Sequence, residues 1–178
     1  MEPLYRKVFK TVVIIHFALF FIGCTGKINT VKDRNYNLKS YKKAFIISAE
    51  NSQYIKFRFG IITPLTYIVL PDKPPIKHKI IGETDLIIKQ EVEKYGISAE
   101  IGNKESIPQD IDLIILYNDT WRWDFKKILD RLDIVFISPE NKMQIAKSSF
   151  TIYQNKEFHN FPTPQKEVPK MIKELLDK

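Results

Sequence analysis

Residues 11–23, TVVIIHFALFFIG, form the longest apolar run of the chain, and its length limits what it can become. A bilayer-crossing helix needs about 20 apolar residues, whereas the apolar part of a secretory signal needs about 7–15. This run fits the second class. Arg6, Lys7 and Lys10 precede it, and the small residue Gly23 closes it, directly before Cys24. Cys24 is the only cysteine, which excludes an internal disulfide and a multi-cysteine metal site. We therefore read residues 1–23 as a targeting segment that takes no part in the fold. The alternatives are an uncleaved signal-anchor in which Cys24 stands by chance and an ordinary cleaved secretory peptide. No later apolar run approaches spanning length.

The net charge of +7 is unevenly placed. Between residues 25 and 43 the basic residues Lys27, Lys32, Arg34, Lys39, Lys42 and Lys43 face one acid, Asp33. From Ala44 onward Lys and Arg balance Asp and Glu. A nucleic-acid binder carries its basic stripe on the folded part, so no nucleic-acid partner is expected. Residues 24–43 read as a basic tether, solvated or touching anionic headgroups. Fully extended, it would reach at most ~65 Å.

The order of basic start, short apolar run and Phe21-Ile22-Gly23-Cys24 resembles the signal peptide and lipobox of bacterial lipoproteins. Phe21 stands where that family prefers Leu. The resemblance implies a diacylglyceryl thioether on Cys24, cleavage before it, and acylation of the new amino group. The membrane lipid attached through Cys24 then replaces a spanning helix, and no other cofactor is implied. Thr25, where an Asp would signal inner-membrane retention, implies delivery to the outer membrane, facing the periplasm.

Residues 44–178 read as one α+β domain: a single mixed β-sheet of about six or seven strands with two or three helices. Strands are expected at 42–49, 54–59, 65–70 and 97–101. The most apolar segment, 112–117, reads as a central strand. Residues 82–95 read as a helix, with Thr84 as N-cap and Gly96 as the residue that ends it. Residues 121–132 fit either a helical face or a strand; strand is preferred because 132–137 continues as one. Ser138-Pro139-Glu140-Asn141 reads as a type I turn, returning into a strand over 143–153. Thr163 and Pro164 suggest a helix start, but Pro169 disfavours a helix interior there, which moves the expected start of the last helix to about Val168. The element order over 80–178 is similar to small envelope lipoprotein domains of unknown function, and to the amino-terminal domain of the TolB group. The residues that carry this are Tyr95-Gly96-Ile97, Asp112-Leu113-Ile114-Ile115, the Trp121/Trp123 stretch and the turn at 138–141. The resemblance implies no catalytic residues.

The segment Asn118-Asp119-Thr120-Trp121-Arg122-Trp123-Asp124 concentrates the residues suited to recognition. Trp121, Arg122 and Trp123, flanked by Asp119 and Asp124, could contact a protein partner or grip a small ligand by stacking and hydrogen bonds. The plainer reading buries both Trp and pairs Arg122 with Asp119 or Asp124. Asp110 and Asp112 read as a turn and strand-start cluster. A catalytic constellation is not recognisable: Ser148-Ser149 lacks a nucleophile elbow, and His78 and His159 lack metal-ligand spacing. These readings lead to a lipid-anchored cell-envelope lipoprotein, a non-catalytic binding or assembly module with an envelope protein partner. The alternatives are a lipid-anchored hydrolase with an unrecognised site and an uncleaved signal-anchored protein.

Overall fold

The computed structural model describes residues 26–34, 37, 40–48, 52–55, 61–62, 67–68, 76–78, 82–124, 126–152 and 161–177; at 61–62, 67–68, 76–78, 123–124 and 126 the description is of the backbone. In chain order the strands are β1 (Lys27–Lys32), β2 (Lys43–Ile47), β3 (Ser52–Ile55), β4 (Ile61–Ile62), β5 (Tyr67–Ile68) and β6 (Ile76–His78). Helix α1 (Thr84–Glu93), strand β7 (Ser98–Gly102), a 3₁₀ turn (Lys104–Ser106), β8 (Leu113–Asp124), β9 (Lys126–Ile137), β10 (Gln144–Thr151) and helix α2 (Pro164–Leu176) follow. The fold is α+β, built on an eight-stranded mixed sheet, with β4 and β5 as a separate two-stranded ribbon.

The main path of the sheet runs β7-β2-β8-β9-β10-β1. β2 lies parallel to both β7 and β8, whereas β8, β9, β10 and β1 alternate antiparallel. β8 is long enough to serve two partners along one edge. Ala44–Ile47 run beside Leu113–Leu116, and Gln53–Ile55 run beside Thr120–Arg122, with β6 pairing the far side of β3.

Strand alternation explains the two faces. Leu113, Ile115 and Tyr117 of β8 point to the same side as Phe136, Ile134 and Leu132 of β9 and Ala146 and Phe150 of β10. Against this face pack Ile87, Ile88 and Val92 of α1 and Val168, Met171, Ile172, Leu175 and Leu176 of α2. On the opposite face the connection from β7 to β8 lays Ile107 and Ile111 over Phe45, Ile47 and Ile114. Asp112 pins that connection, its Oδ2 accepting 2.9 Å hydrogen bonds from the backbone N–H groups of Lys42 and Lys43. Asp110 pairs with Lys43 beside it. Both aspartates thus stand at the loop and strand start expected of them.

Four expectations are corrected. Residues 27–32 are not tether: β1 lies antiparallel along β10, with Lys27 opposite Thr151 and Lys32 opposite Ala146. Alternate side chains Ile28, Thr30 and Lys32 turn inward, so a charged stretch with three inward-facing residues still forms an edge strand. Gly26 makes the docking possible, because a Cβ there would lie 2.2 Å from the Phe150 ring and 2.9 Å from the Thr151 carbonyl. Second, residues 121–137 are not one strand; the chain reverses between Asp124 and Lys126, which face each other.

Third, α2 begins at Pro164, with Pro169 inside it. An interior proline costs about 3 kcal/mol. Burying the five apolar side chains of its inner face, at about 1.5–3 kcal/mol each, outweighs that. Fourth, Glu83 and not Thr84 occupies the N-cap of α1, because the Thr84 hydroxyl is drawn to a carboxylate on β8. Gly96 ends the helix as expected, at φ +78°. Cys24, the segment 1–23, residues 56–60 and 71–75, and His159 lie outside the described residues.

Candidate functional site

The segment singled out in the sequence, 118–124, forms the second half of β8, and a register shift between Thr120 and Trp121 interrupts its pairing with β9. Asp119 and Trp121 face one side of the sheet and Arg122 the other.

Asp119 faces the helices and is 1% exposed. Its Oδ2 accepts hydrogen bonds from Thr84 Oγ1 at 2.9 Å and Trp121 Nε1 at 2.8 Å, and its Oδ1 accepts from Ser52 Oγ. Ser52 and Thr84 are also fully buried. One carboxylate therefore joins the start of β3, the first turn of α1 and the part of β8 that faces the bulge at Asp130 of β9. A carboxylate near a helix N-terminus is favoured by the helix dipole, and buried acceptors need donors of this kind. Asp85 acts alongside it, accepting from Ser48 Oγ at 3.2 Å and from the Leu86 N–H at 2.8 Å. The ring of Trp121 lies against Gly82, where φ is +86° and a Cβ would sit 3.1 Å from Cζ2. Lys127 Nζ stands 5.8 Å from the centroid of the same ring, within cation–π range.

Arg122 turns to the other face. It is 7% exposed and its Nε lies 3.4 Å from Asp130 Oδ1 across the β8–β9 ladder. The expected pairing of Arg122 with Asp119 is thus replaced by one with Asp130, for a geometric reason: 119 and 122 lie on opposite sides of a strand. Trp123 and Asp124 continue the backbone of β8 opposite Lys127 and Lys126. The structure brings Asp119 and Trp121 together, and separates Arg122 from both. All three are buried, which makes them framework for the end of the sheet and leaves little of them for a partner to touch. Sequence reasoning misses Ser52, Thr84 and Asp130; for Asp130, the period-two alternation already forbids a same-strand partner on the opposite face.

An open groove of about 740 Å³ runs between β1 and α2, lined by Ile28, Thr30, Lys32, Lys170, Lys173, Glu174 and Asp177. Its polar groups largely serve one another. Thr30 Oγ1 lies 2.6 Å from Glu174 Oε2 and 2.9 Å from Ser148 Oγ, and Lys32 Nζ donates to the Asp177 carbonyl. Lys170 pairs with buried Glu167 at 2.9 Å. Among the described residues no group of three or more His, Cys, Asp and Glu could hold a metal ion, and no helix is long and apolar enough to cross a membrane.

No protein-family model matches the chain, and no curated protein matches it. Solved structures with a similar course of the chain include the dodecamer of a PelC point variant from Paraburkholderia phytofirmans, at 10% identity and a TM-score of 0.49, covering 85% of this chain and 95% of that one. A DUF4136 family protein from Bacteroides thetaiotaomicron is similar at 12% identity and a TM-score of 0.49, covering 85% and 96%. A DUF330 protein from Xanthomonas campestris follows at 8% identity and 0.34, covering 76% and 81%. At scores below 0.5 none of these bears on what this chain does.

Proposed function

We propose that the chain is a bacterial cell-envelope lipoprotein, held in the outer membrane by a diacylglyceryl group on Cys24, with its domain in the periplasm. Its work there is non-catalytic, binding or assembling an envelope protein partner. One observation carries the reading: basic residues, a 13-residue apolar run and Gly23-Cys24 are followed, three positions on, by the first strand of the folded domain. An acylated cysteine suits that position. Two or more acyl chains hold a protein firmly, whereas one chain gives only marginal attachment. Asp119 accepts from three framework donors, which supports reading this cluster as scaffold and not as reacting groups.

The test is the intact mass of the membrane-extracted protein beside a Cys24→Ala variant. A species beginning at residue 24 with acyl mass, lost in the variant, is expected. Unmodified full-length mass in both would overturn the reading.

A further inference from the structure

The strand registers fix which end of the sheet receives the anchor. Lys27 stands opposite Thr151, Thr151 opposite Arg131, and Arg131 opposite Thr120. β1 is antiparallel to β10 and β10 to β9, so β1 and β9 run in the same direction. Going backwards from Lys27 towards Cys24 therefore leads the same way as going backwards along β9 from Arg131 to Lys126. The β8–β9 ladder continues that way beyond the level of Lys27, through Trp121–Leu129 and Arg122–Ile128 to Asp124–Lys126.

The distances agree. From the level of Arg131 to that of Lys127 is three ladder steps, Thr120 to Trp123 on β8, about 10 Å. Cys24 lies three residues before Lys27, a reach of at most about 11 Å. β1 and β9 are separated only by β10, about 10 Å in the plane of the sheet. A cysteine held at a bilayer surface thus brings the projecting end of the hairpin to the same surface.

The geometry points to the end of the β8–β9 hairpin as a membrane-contacting edge that rests on the headgroups of the bilayer carrying the anchor. This rests on the lipid-anchored reading and adds an orientation to it. The residue types suit the interface. Register places Trp123 opposite Lys127 and Asp124 opposite Lys126, and Trp and Lys favour the boundary between acyl chains and water. Lys27, Lys127 and Lys166 are exposed at this end, and Lys166 approaches the Phe161 carbonyl beside the Leu129–Pro162 backbone hydrogen bond. Glu83, before α1, is exposed, and Asp130 is engaged by Arg122. Cations held close to an anionic leaflet are attracted to it, and the attraction fades within a Debye length.

The lone cysteine makes the test clean. In the acylated protein Cys24 is a thioether, so a maleimide fluorophore reaches only an introduced thiol. Membrane-extracted, acylated Lys127→Cys, Lys27→Cys and Glu140→Cys variants, with the unsubstituted chain, are labelled and placed in phosphatidylcholine/phosphatidylglycerol vesicles. Glu140 lies in the turn at the opposite end of β9. Quenching by headgroup-spin-labelled lipid is expected to be several-fold stronger at 127 and 27 than at 140, with iodide quenching in the reverse order. Equal quenching at the three positions overturns the orientation while leaving the anchor in place. Shielding of 127 from iodide without lipid quenching overturns it in favour of a covering protein. Labelling of the unsubstituted chain shows a free Cys24 and overturns both readings.

Discussion

Removing the Asp119 carboxylate should strip the end of the sheet of the side-chain cluster that joins β3, α1 and β8. In Asp119→Ala, the hydroxyls of Ser52 and Thr84 and the indole N–H of Trp121 lose their acceptor in a region where all three residues are buried. Hydrogen bonds to a charged acceptor are worth about 1.5–3 kcal/mol each, but two of these donors are hydroxyls that can rotate towards other acceptors. The indole cannot. The expected loss is therefore about 3–4 kcal/mol, below the plain sum. Asp119→Asn behaves differently. Its carbonyl oxygen can still accept from Thr84 and Trp121, and its amide can donate to Ser52 Oγ, so only the charge assistance disappears, about 1 kcal/mol. Urea unfolding followed by tryptophan fluorescence reads the difference, because both tryptophans lie in this segment. With a slope of about 2 kcal/mol per molar, the midpoint should fall by about 1.5–2 M for Ala and about 0.5 M for Asn. Equal shifts for the two variants, or a shift under about 0.5 M for Ala, would refute the claim that the carboxylate organises these three elements.

Gly26→Ala should cost about 1–3 kcal/mol by overpacking against Phe150, and amide exchange should rise selectively across β1 and the outer edge of β10. Asp130→Asn should destabilise more than Arg122→Met in thermal melts. The first leaves a buried guanidinium short of its partner, at about 1–3 kcal/mol once partial exposure of Asp130 is allowed for, whereas the second removes the charge and keeps the packing. Lys43 holds the Asp110 carboxyl below its ordinary value of 3.8 by hydrogen bond and charge, and Asp110 raises Lys43 above 10.5 in return. A lowered carboxyl loses its contribution as pH falls through its folded value, and a raised amine as pH rises through its own. The pair is thus fully effective from pH 3.8 to 10.5. Carbon-detected NMR titration of Lys43→Gln should move Asp110 back towards its ordinary value; an unmoved midpoint would show that the pair does not form in solution.

The legible parts of the fold are those where one local rule decides. The apolar run 112–117 needs burial on both faces and becomes the inner strand β8. The turn at 138–141 and Gly96 are set by backbone chemistry within a few residues. What escapes depends on distant partners. β1 has the composition of a tether, and only β10, almost the whole domain away, turns it into a strand. Pro169 reads as a helix boundary until the sheet supplies a surface for Met171, Ile172 and Leu175. The candidate segment stands out for its density of Trp, Arg and Asp, but its function as framework rests on Ser52, Thr84 and Asp130. No spacing rule links Ser52 or Thr84 to Asp119, because the contacts are made by packing and not by period.

The pairing of β1 with β10 bears on the order in which the chain can become itself. Thr30 and Ser148 touch across 118 positions, so the first strand has no neighbour until nearly all of the chain is present. Closing so long a loop is slow even though each doubling of its length costs only about 0.6 kcal/mol. A chain emerging amino-terminus first keeps its leading strand open throughout, and the last turns of α2, which meet Thr30 and Lys32 through Glu174 and Asp177, complete the structure. β1 and the last turn of α2 are each other's late contacts, so removing Glu174–Asp177 should be felt first along β1.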